Sequence, residues 1–518
     1  MYTVKLVSTI SALIIDALGC SKSKRYYTRD VIGSGPRWIA GALPSKYTPT
    51  IQQAEDFLKA PSFDHDLYMI SAMSSDFFLV KKICSILQGR GKIILGGPIC
   101  SDPHYCLNKL NVDFCVVAEG EVALKTLIES NFDPSGIFNL AYKENDAVLF
   151  NGLKRIPKNI YNTLKPSTNT IRGYDNYHFA RVFVEVLRGC SNFHRSRVDI
   201  SSDECTSCNR CRTNTSYDCP LKINPGCGYC SVPSTFGFVK SRSIENICSE
   251  MKNLVDLGVQ KVVLSAPDFL DYSREELVEG EFLTDPCIPN PNYNRIESLL
   301  SLVSEFDIHV TIENVKACLF DEKIAKIISD YVPDSTLHIG CDTADELHSE
   351  IIGRPSSPRD VTHALKIAHR YTIKTNVYFI YGLPLQSSAT AAKTLHFIKE
   401  NKGYVDKYTM YRFMPLPMSA FCNKQKGDLN DFDSKKIYDL IKEINTQKKK
   451  DMIGAKMEVY VAERHFYNST DYIGYPTKEG PLVVLRSAKK YFKRRVIVKI
   501  IDVISDRLVK GDVIECLN

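Results

Sequence analysis

The run Val182-Phe-Val-Glu-Val-Leu-Arg-Gly-Cys190 reads as an apolar strand that ends in a glycine turn and delivers a thiol. Further along, Cys227-Gly-Tyr-Cys230 supplies two more thiols, with an aromatic residue just before the second. Three thiolates on one loop can hold three irons of a [4Fe–4S] cluster, because such clusters are bound by cysteine thiolates. The fourth iron then stays open for another ligand.

Residues 191–226, 36 in all, separate Cys190 from Cys227. They carry a second group of thiols, Cys205, Cys208, Cys211 and Cys219, the last followed by Pro220. Bacterial ferredoxins use the spacing C-x2-C-x2-C-x3-C-P, so the match is partial: the last interval here is residues 212–218. A second cluster, a zinc site and free thiols all stay open. Four-cysteine zinc sites prefer two separated pairs, and the overlapping run from Cys205 to Cys211 suits a cubane better. Disulfides fit poorly, since nothing else in the chain looks secreted.

The composition agrees with this chemistry. A chain of 518 residues is too long for one core and implies about three domains. Its 44% hydrophobic and 24% charged residues fit a soluble globular protein. Eighteen cysteines point to metal or redox chemistry in a reducing compartment, and a cytoplasmic location is expected. The apolar stretch from Ile10 to Leu18 is too short to span a bilayer and contains Asp16. It reads as a buried first strand, and no membrane association is expected. The net charge of +6 does not by itself imply nucleic acid, although its distribution bears on the question.

The expected fold class is α/β in three parts. Apolar runs at 67–73, 92–95 and 112–117 alternate with helical patterns, which predicts a doubly wound parallel sheet within residues 1–150. Such sheets bind ligands beyond the carboxyl ends of their strands, where Gly96-Gly97-Pro98 and Glu119-Gly120-Glu121 fall. From Val182 to Arg412 about six strand–helix units predict a partial (β/α)6 barrel within residues 176–423. Ser243 and Ser357 are expected to cap helices there, with Pro358 in the first turn. Barrel enzymes place their sites at the carboxyl ends of the strands. Cys190, Ser265, Asp268, Glu313, Asp342, Gly382 and Arg412 all lie at such ends. Residues 424–453 read as a helical linker. Short alternating segments over 454–518 predict a small antiparallel β-barrel. Within it Arg486, Lys489, Lys490, Lys493, Arg494 and Arg495 cluster with Tyr491 and Phe492, a pattern that suits phosphates and stacked bases.

Residues 180–420 resemble the radical S-adenosylmethionine (SAM) family, whose loop after the first barrel strand reads C-x3-C-x-aromatic-C. The long first interval is a departure. Cys227-Gly-Tyr-Cys230-Ser-Val-Pro233, Arg242-Ser243, His338-Ile-Gly-Cys-Asp342 and Ile352-Gly-Arg354-Pro355 are close in style to its methylthiotransferase branch. The resemblance implies a cluster on Cys190, Cys227 and Cys230, with SAM chelated at the open iron and cleaved to a 5′-deoxyadenosyl radical. It implies an electron donor such as ferredoxin or flavodoxin. It also implies a contact of Arg354 with the SAM carboxylate, and puts Ser265 and Asp268 near the SAM amino group and ribose. Glu313 and Asp342 are candidates for the same site.

The first 150 residues resemble the cobalamin-binding domain that precedes many such cores, with Gly96, Gly97, Glu119 and Gly120 at its recurring marks. The D-x-H-x-x-G motif of that domain is missing. A rival resemblance starts at Ala17-Leu-Gly-Cys20, like the cluster-bearing first domain of methylthiotransferases. However, Cys20, Cys84, Cys100, Cys106 and Cys115 read better as core thiols. The end of the chain is similar to the TRAM domain, an OB-like RNA-binding module, which makes Lys489, Lys490, Arg494 and Arg495 candidates for RNA contact. Together the resemblances imply a radical SAM enzyme that modifies RNA, tRNA above all, by cobalamin-dependent methyl transfer. Methylthiolation with an auxiliary cluster and a non-catalytic RNA-binding iron–sulfur protein are the alternatives. The two thiol groups make a direct prediction: anaerobically reconstituted protein holds roughly eight irons per chain if both form cubanes and roughly four if one does, as iron and sulfide analysis reads.

Overall fold

The computed structural model describes residues 10–20, 29–200, 208, 219–280, 282–465, 468 and 470–517. Cys205 and Cys211 lie outside the described residues, so the arrangement of the insertion thiols is outside them too. The chain divides into two compact units. One comprises residues 1–185 and 242–259, the other 186–241 and 260–518.

The first unit is built on a seven-stranded sheet. Its order is Tyr47–Gln53, Ile10–Asp16, Leu67–Ser71, Lys92–Gly96, Phe114–Val116, Leu140–Glu144 and Ala147–Phe150. The first five strands are parallel, and the last two turn back as an antiparallel hairpin. The parallel strands read as continuous apolar runs because helices cover them, and Leu13, Ile15, Tyr68, Ile70, Ile93 and Leu95 are buried together. Cys20, Cys84, Cys100, Cys106 and Cys115 belong to the same core, as expected for apolar free thiols. Two elements were not legible in the sequence. The strand Tyr47–Gln53 carries Pro49, which is tolerated because the strand lies at the sheet edge. The hairpin at 140–150 is mostly polar or exposed. The helix Ile244–Asp256 also groups with this unit. Its Glu250 is buried between Arg37 and Arg242, at 2.6 and 2.7 Å.

The first unit also pairs Val31–Ile32 in parallel with Arg181–Glu185, and the second unit contains further parallel strands. Lys261–Ser265 pairs with His309–Ile312. A four-stranded parallel sheet runs Asn314–Val315, Thr336–Asp342, Lys374–Tyr381 and Lys407–Arg412. The break between Ile312 and Asn314 falls at Glu313, so one extended segment serves both sheets. Helices follow the strands at Tyr293–Ser304, Glu322–Tyr331, Pro358–Arg370 and Ser388–Asn401. Their starts are chemically marked. Asp321 and Ser357 accept from the backbone three residues on, and Asp360 returns the bond to Ser357 N at 2.7 Å. In the first unit Ser243 caps its helix as expected, accepting from Asn246 N.

A helix, Phe432–Lys450, leads to a closed barrel. The barrel's strands, Lys456–Arg464, Tyr472–Pro476, Leu482–Leu485, Arg495–Val503 and Leu508–Leu517, close in the order first, second, third, fifth, fourth. The expected antiparallel barrel is corrected in one pairing, because Leu482–Leu485 and residues 508–511 run parallel. A closed ring with an odd number of strands cannot alternate direction throughout, so one parallel pair is unavoidable. The strand Tyr472–Pro476 was missed, since Gly474 and Pro476 in a short run read as turn signals. No helix among the described residues is long and apolar enough to cross a membrane.

Candidate active site

Within the second unit, Leu187–Arg188 pairs antiparallel with Lys240–Ser241 and anchors the start of the cysteine-bearing segment. Gly189 follows with φ +82°, and a Cβ there would meet the Phe238 carbonyl oxygen at 2.0 Å, so only glycine turns the chain here. Cys190 N then donates to Gly237 O at 3.2 Å. At the far end of the insertion, Gly226 N donates to His194 O and Gly228 N to Ile352 O, at 2.9 and 2.8 Å. These bonds bring Cys227 and Cys230 back beside Cys190.

One residue joins the thiols. Asn192 N lies 3.4 Å from Cys190 Sγ, and Asn192 Nδ2 lies 3.4 Å from Cys227 Sγ. Arg354 Nη1 approaches Cys227 Sγ at 3.7 Å, and Val232 N approaches Cys230 Sγ at 3.5 Å. Burial pushes the Cys190 thiol up to about 11 and the Cys230 thiol up to about 12, and neighbouring thiols add to both shifts. Among the described residues no three His, Cys, Asp or Glu side chains converge as a single metal ion requires. A cubane asks for something else, since each thiolate binds a different iron. Three half-buried cysteines whose sulfurs lie in mutual electrostatic range, met by N–H donors, fit that requirement.

A buried charge network holds the segment after Cys190. Ser191 N and Oγ donate to Asp271 at 3.1 and 2.8 Å. Arg274 Nη1 reaches Asp271 at 2.5 Å. Lys316 Nζ donates to Ser191 Oγ at 2.8 Å and pairs with Asp271 at 2.6 Å and Asp268 at 2.9 Å. Burial works against the Lys316 ammonium, yet Asp268 and Asp271 overcome it and hold its pKa well above the ordinary value. Burial also opposes ionised Asp271, and Lys316 and Arg274 reverse that effect. Asp268 goes the other way, raised by burial.

The expected site residues therefore occupy distinct places. Asp268 lies inside this network, with Oδ1 accepting from Lys316 N at 2.9 Å. Ser265 Oγ donates to Glu313 at 2.8 Å. Arg354 and Asp342 meet each other. Their Nε and Oδ2 are 2.9 Å apart, and Tyr229 Oη donates to the same Asp342 oxygen at 2.6 Å. Arg354 thus already holds a carboxylate belonging to the chain, between Cys227 and Tyr229. In the first unit, Gly96 O accepts from Ala72 N, and Gly97 packs against the Ala72 backbone. Glu119 Oε2 accepts from Ile156 N at 2.8 Å, and Gly120 sits at the start of the helix Glu121–Glu129. Asn192, Asp271, Arg274 and Lys316 were not singled out from the sequence. Asn192 stands next to the thiol run, whereas Lys316 carries no local signal.

Residues 213–398 match the profile of the Radical SAM superfamily. The chain is 42% identical over 501 residues to an uncharacterized protein of Methanocaldococcus jannaschii, covering 95% of this chain and 96% of that protein. A putative methylthiotransferase of the same organism is 23% identical over 77% of this chain and 78% of its own length. In fold, the chain is similar to the radical SAM methyltransferase TsrM from Kitasatospora setae, solved with cobalamin and a [4Fe–4S] cluster bound. That likeness has a TM-score of 0.56 and 12% identity, and covers 79% of this chain and 77% of TsrM. The protein is a radical SAM enzyme. It belongs to one family with the first of these relatives, and the cofactors of the radical SAM class are a [4Fe–4S] cluster and SAM.

The charge network makes a testable claim about stability. Asp271→Ala leaves two cations buried against one carboxylate and is expected to cost about 3–5 kcal/mol. Thermal denaturation checks it, and adding Lys316→Met to that variant is expected to restore part of the loss.

Proposed function

We propose that this enzyme modifies RNA, tRNA in particular, by transferring a methyl group to carbon with cobalamin as the carrier. The observation that carries the reading is the meeting of Cys190 and Cys227 at Asn192, with Cys230 in electrostatic range of both thiols. These three thiols are assigned to the cluster. When bound, cluster and SAM together supply a radical able to take hydrogen from an unactivated carbon. The chain's part is to position and to exclude water. Asn192 and Arg354 direct N–H donors at Cys227, and the paired Asp342 and Tyr229 hold Arg354 in place.

Two further features support the finer assignment. At the carboxyl end of the first unit's parallel strands, Phe78 is 78% exposed, with Tyr105 and Met73 also exposed. Ser74 Oγ donates to Pro98 O and ties the two strand-end loops together. An exposed apolar rim beside a glycine turn suits a large flat macrocycle at the place where open parallel sheets take ligands. The C-terminal barrel has five strands, as OB-type barrels do, and it presents Lys489, Lys490, Arg494 and Arg495 beside exposed Phe492. Cations neutralise phosphates and the ring is available for stacking. Methylthiolation is the second reading, favoured by the methylthiotransferase relative that matches along most of the chain.

Reconstituted enzyme given SAM and a low-potential reductant such as reduced flavodoxin is expected to release 5′-deoxyadenosine, and Cys190→Ala to lose that release together with its cluster iron. Mass spectrometry of RNA nucleosides from a deletion strain then decides the product. A missing methyl supports this reading, a missing methylthio group supports the second, and an unchanged nucleoside profile sinks RNA as substrate. Separately, alanine at Lys489, Lys490, Arg494 and Arg495 is expected to weaken tRNA binding and flatten its salt dependence, by a slope of about 0.7–0.9 for each phosphate no longer neutralised.

A further inference from the structure

Two cysteines that are distant in the sequence meet beside the active site. Cys287 and Cys318 are both free and half-buried. Their thiols hydrogen-bond to each other, with Cys318 as the donor. The surrounding backbone shows the same approach. Cys318 Sγ lies 3.9 Å from the carbonyl oxygen of Pro286, the residue before Cys287. Cys287 Sγ lies 3.9 Å from Pro355 O, and Cys318 N donates to Ser356 Oγ at 3.2 Å. Three segments of the second unit therefore meet at one pair of sulfurs.

Each segment also supports the cluster thiols. Arg274, which pairs with Asp271 at 2.5 Å, donates from Nε to Pro289 O at 3.0 Å and so anchors the segment of Cys287. Two residues before Cys318, the Lys316 ammonium holds Asp271 and Ser191. Just before Pro355, Arg354 approaches Cys227. The pair thus adjoins the frame of the site without belonging to it.

Access separates this pair from the other neighbouring thiols. Cys100 and Cys106 also bond to each other, but both are fully buried in the apolar core of the first unit. Their thiols donate to Leu95 O and Ile99 O, both at 3.2 Å, and no reagent reaches them. Beside Cys287, by contrast, Ile288 is 69% exposed. The hydrogen bond from Cys318 holds the Cys287 thiol below its ordinary pKa, with help from Lys316 and against burial, Asp285 and Asp360. The same bond, together with burial, pushes Cys318 up. Reactive dithiols combine a reachable thiol of low pKa with a second thiol poised to resolve it.

We propose that Cys287 and Cys318 form a reversible disulfide, a modification site separate from the cluster, with a low-molecular-weight disulfide as the oxidant. The Cys287 thiolate attacks one sulfur of the oxidant, whose S–S bond breaks and releases one half as a thiolate. Cys318 then gives up its proton and attacks the Cys287 sulfur of the mixed disulfide. The second half leaves, and the two released thiolates are protonated. Two protein thiols have lost two electrons and two protons, and the external disulfide has become two thiols. The new bond closes the loop of residues 288–317 and straps the segment anchored by Arg274 to the one that carries Lys316. In a reducing compartment such a bond is transient and redox-sensing rather than structural.

The test uses the full reconstituted holoprotein, kept anaerobic and treated with oxidised glutathione. Free thiols are then blocked with iodoacetamide and the unreduced digest is mapped by mass spectrometry. A peptide joining Cys287 to Cys318 is expected, abolished by dithiothreitol and formed with no loss of iron. Cys318→Ser is expected to trap glutathione on Cys287, and Cys287→Ser to leave Cys318 at least about tenfold less modified. Retained iron shows that each variant has folded, and the mapping of the unaltered chain needs no variant. Recovery of both cysteines unjoined overturns the proposal, as does linkage of either to a different cysteine. A joined peptide that forms only in step with loss of iron also overturns it, because the pair is then part of a general oxidation of the site. Equal glutathione uptake by Cys318 in the Cys287→Ser variant overturns Cys287 as the attacking thiol.

Discussion

Three sulfurs, one of them separated from the others by residues 191–226, must meet in one place. Everything around the site serves that convergence. Gly189 turns the chain where a side chain would strike Phe238, and Asn192 spans the gap by touching both Cys190 and Cys227. Ser191, between them, is clamped by Asp271, which is neutralised by Lys316 and Arg274. Burying so many charges is costly unless each has its partner, and here two carboxylates face two cations. The cost secures the position of a thiol rather than maximal stability.

The same matching of partners explains Arg354. A guanidinium beside a sulfur site attracts carboxylates, and Asp342 already answers it, with Tyr229 completing the set. Tyr229 lies inside the Cys227–Cys230 pair, so the pair's aromatic residue is tied to a carboxylate at the end of the parallel strand Thr336–Asp342. Burial raises the Tyr229 hydroxyl well above its ordinary pKa, so it stays a donor to Asp342.

Much of the architecture was legible. Continuous apolar runs at 67–73, 92–95 and 112–117 read as parallel strands, which the structure bounds at Leu67–Ser71, Lys92–Gly96 and Phe114–Val116, and Ser243 and Ser357 read as helix starts. These signals are local: they depend on residues a few positions apart. Other elements carry no such signal. Tyr47–Gln53 is a strand through its edge position despite Pro49, and Tyr472–Pro476 through closure of a ring. Lys316 looks like an ordinary lysine until Asp268, Asp271 and Ser191 are brought to it.

The match to the radical SAM profile begins at residue 213, beyond Cys190. Sequence by itself determined the thiols' types, the spacing of Cys227 and Cys230, and the strand-and-glycine run that delivers Cys190, because each is a short-range pattern. The resemblance implied that Cys190 joins the later pair; tertiary structure alone decided that Asn192 meets both Cys190 and Cys227 and that Arg354 directs its charge to Asp342. Those outcomes depend on which distant groups share a buried space, and desolvation there makes each of them seek a partner the local sequence does not name.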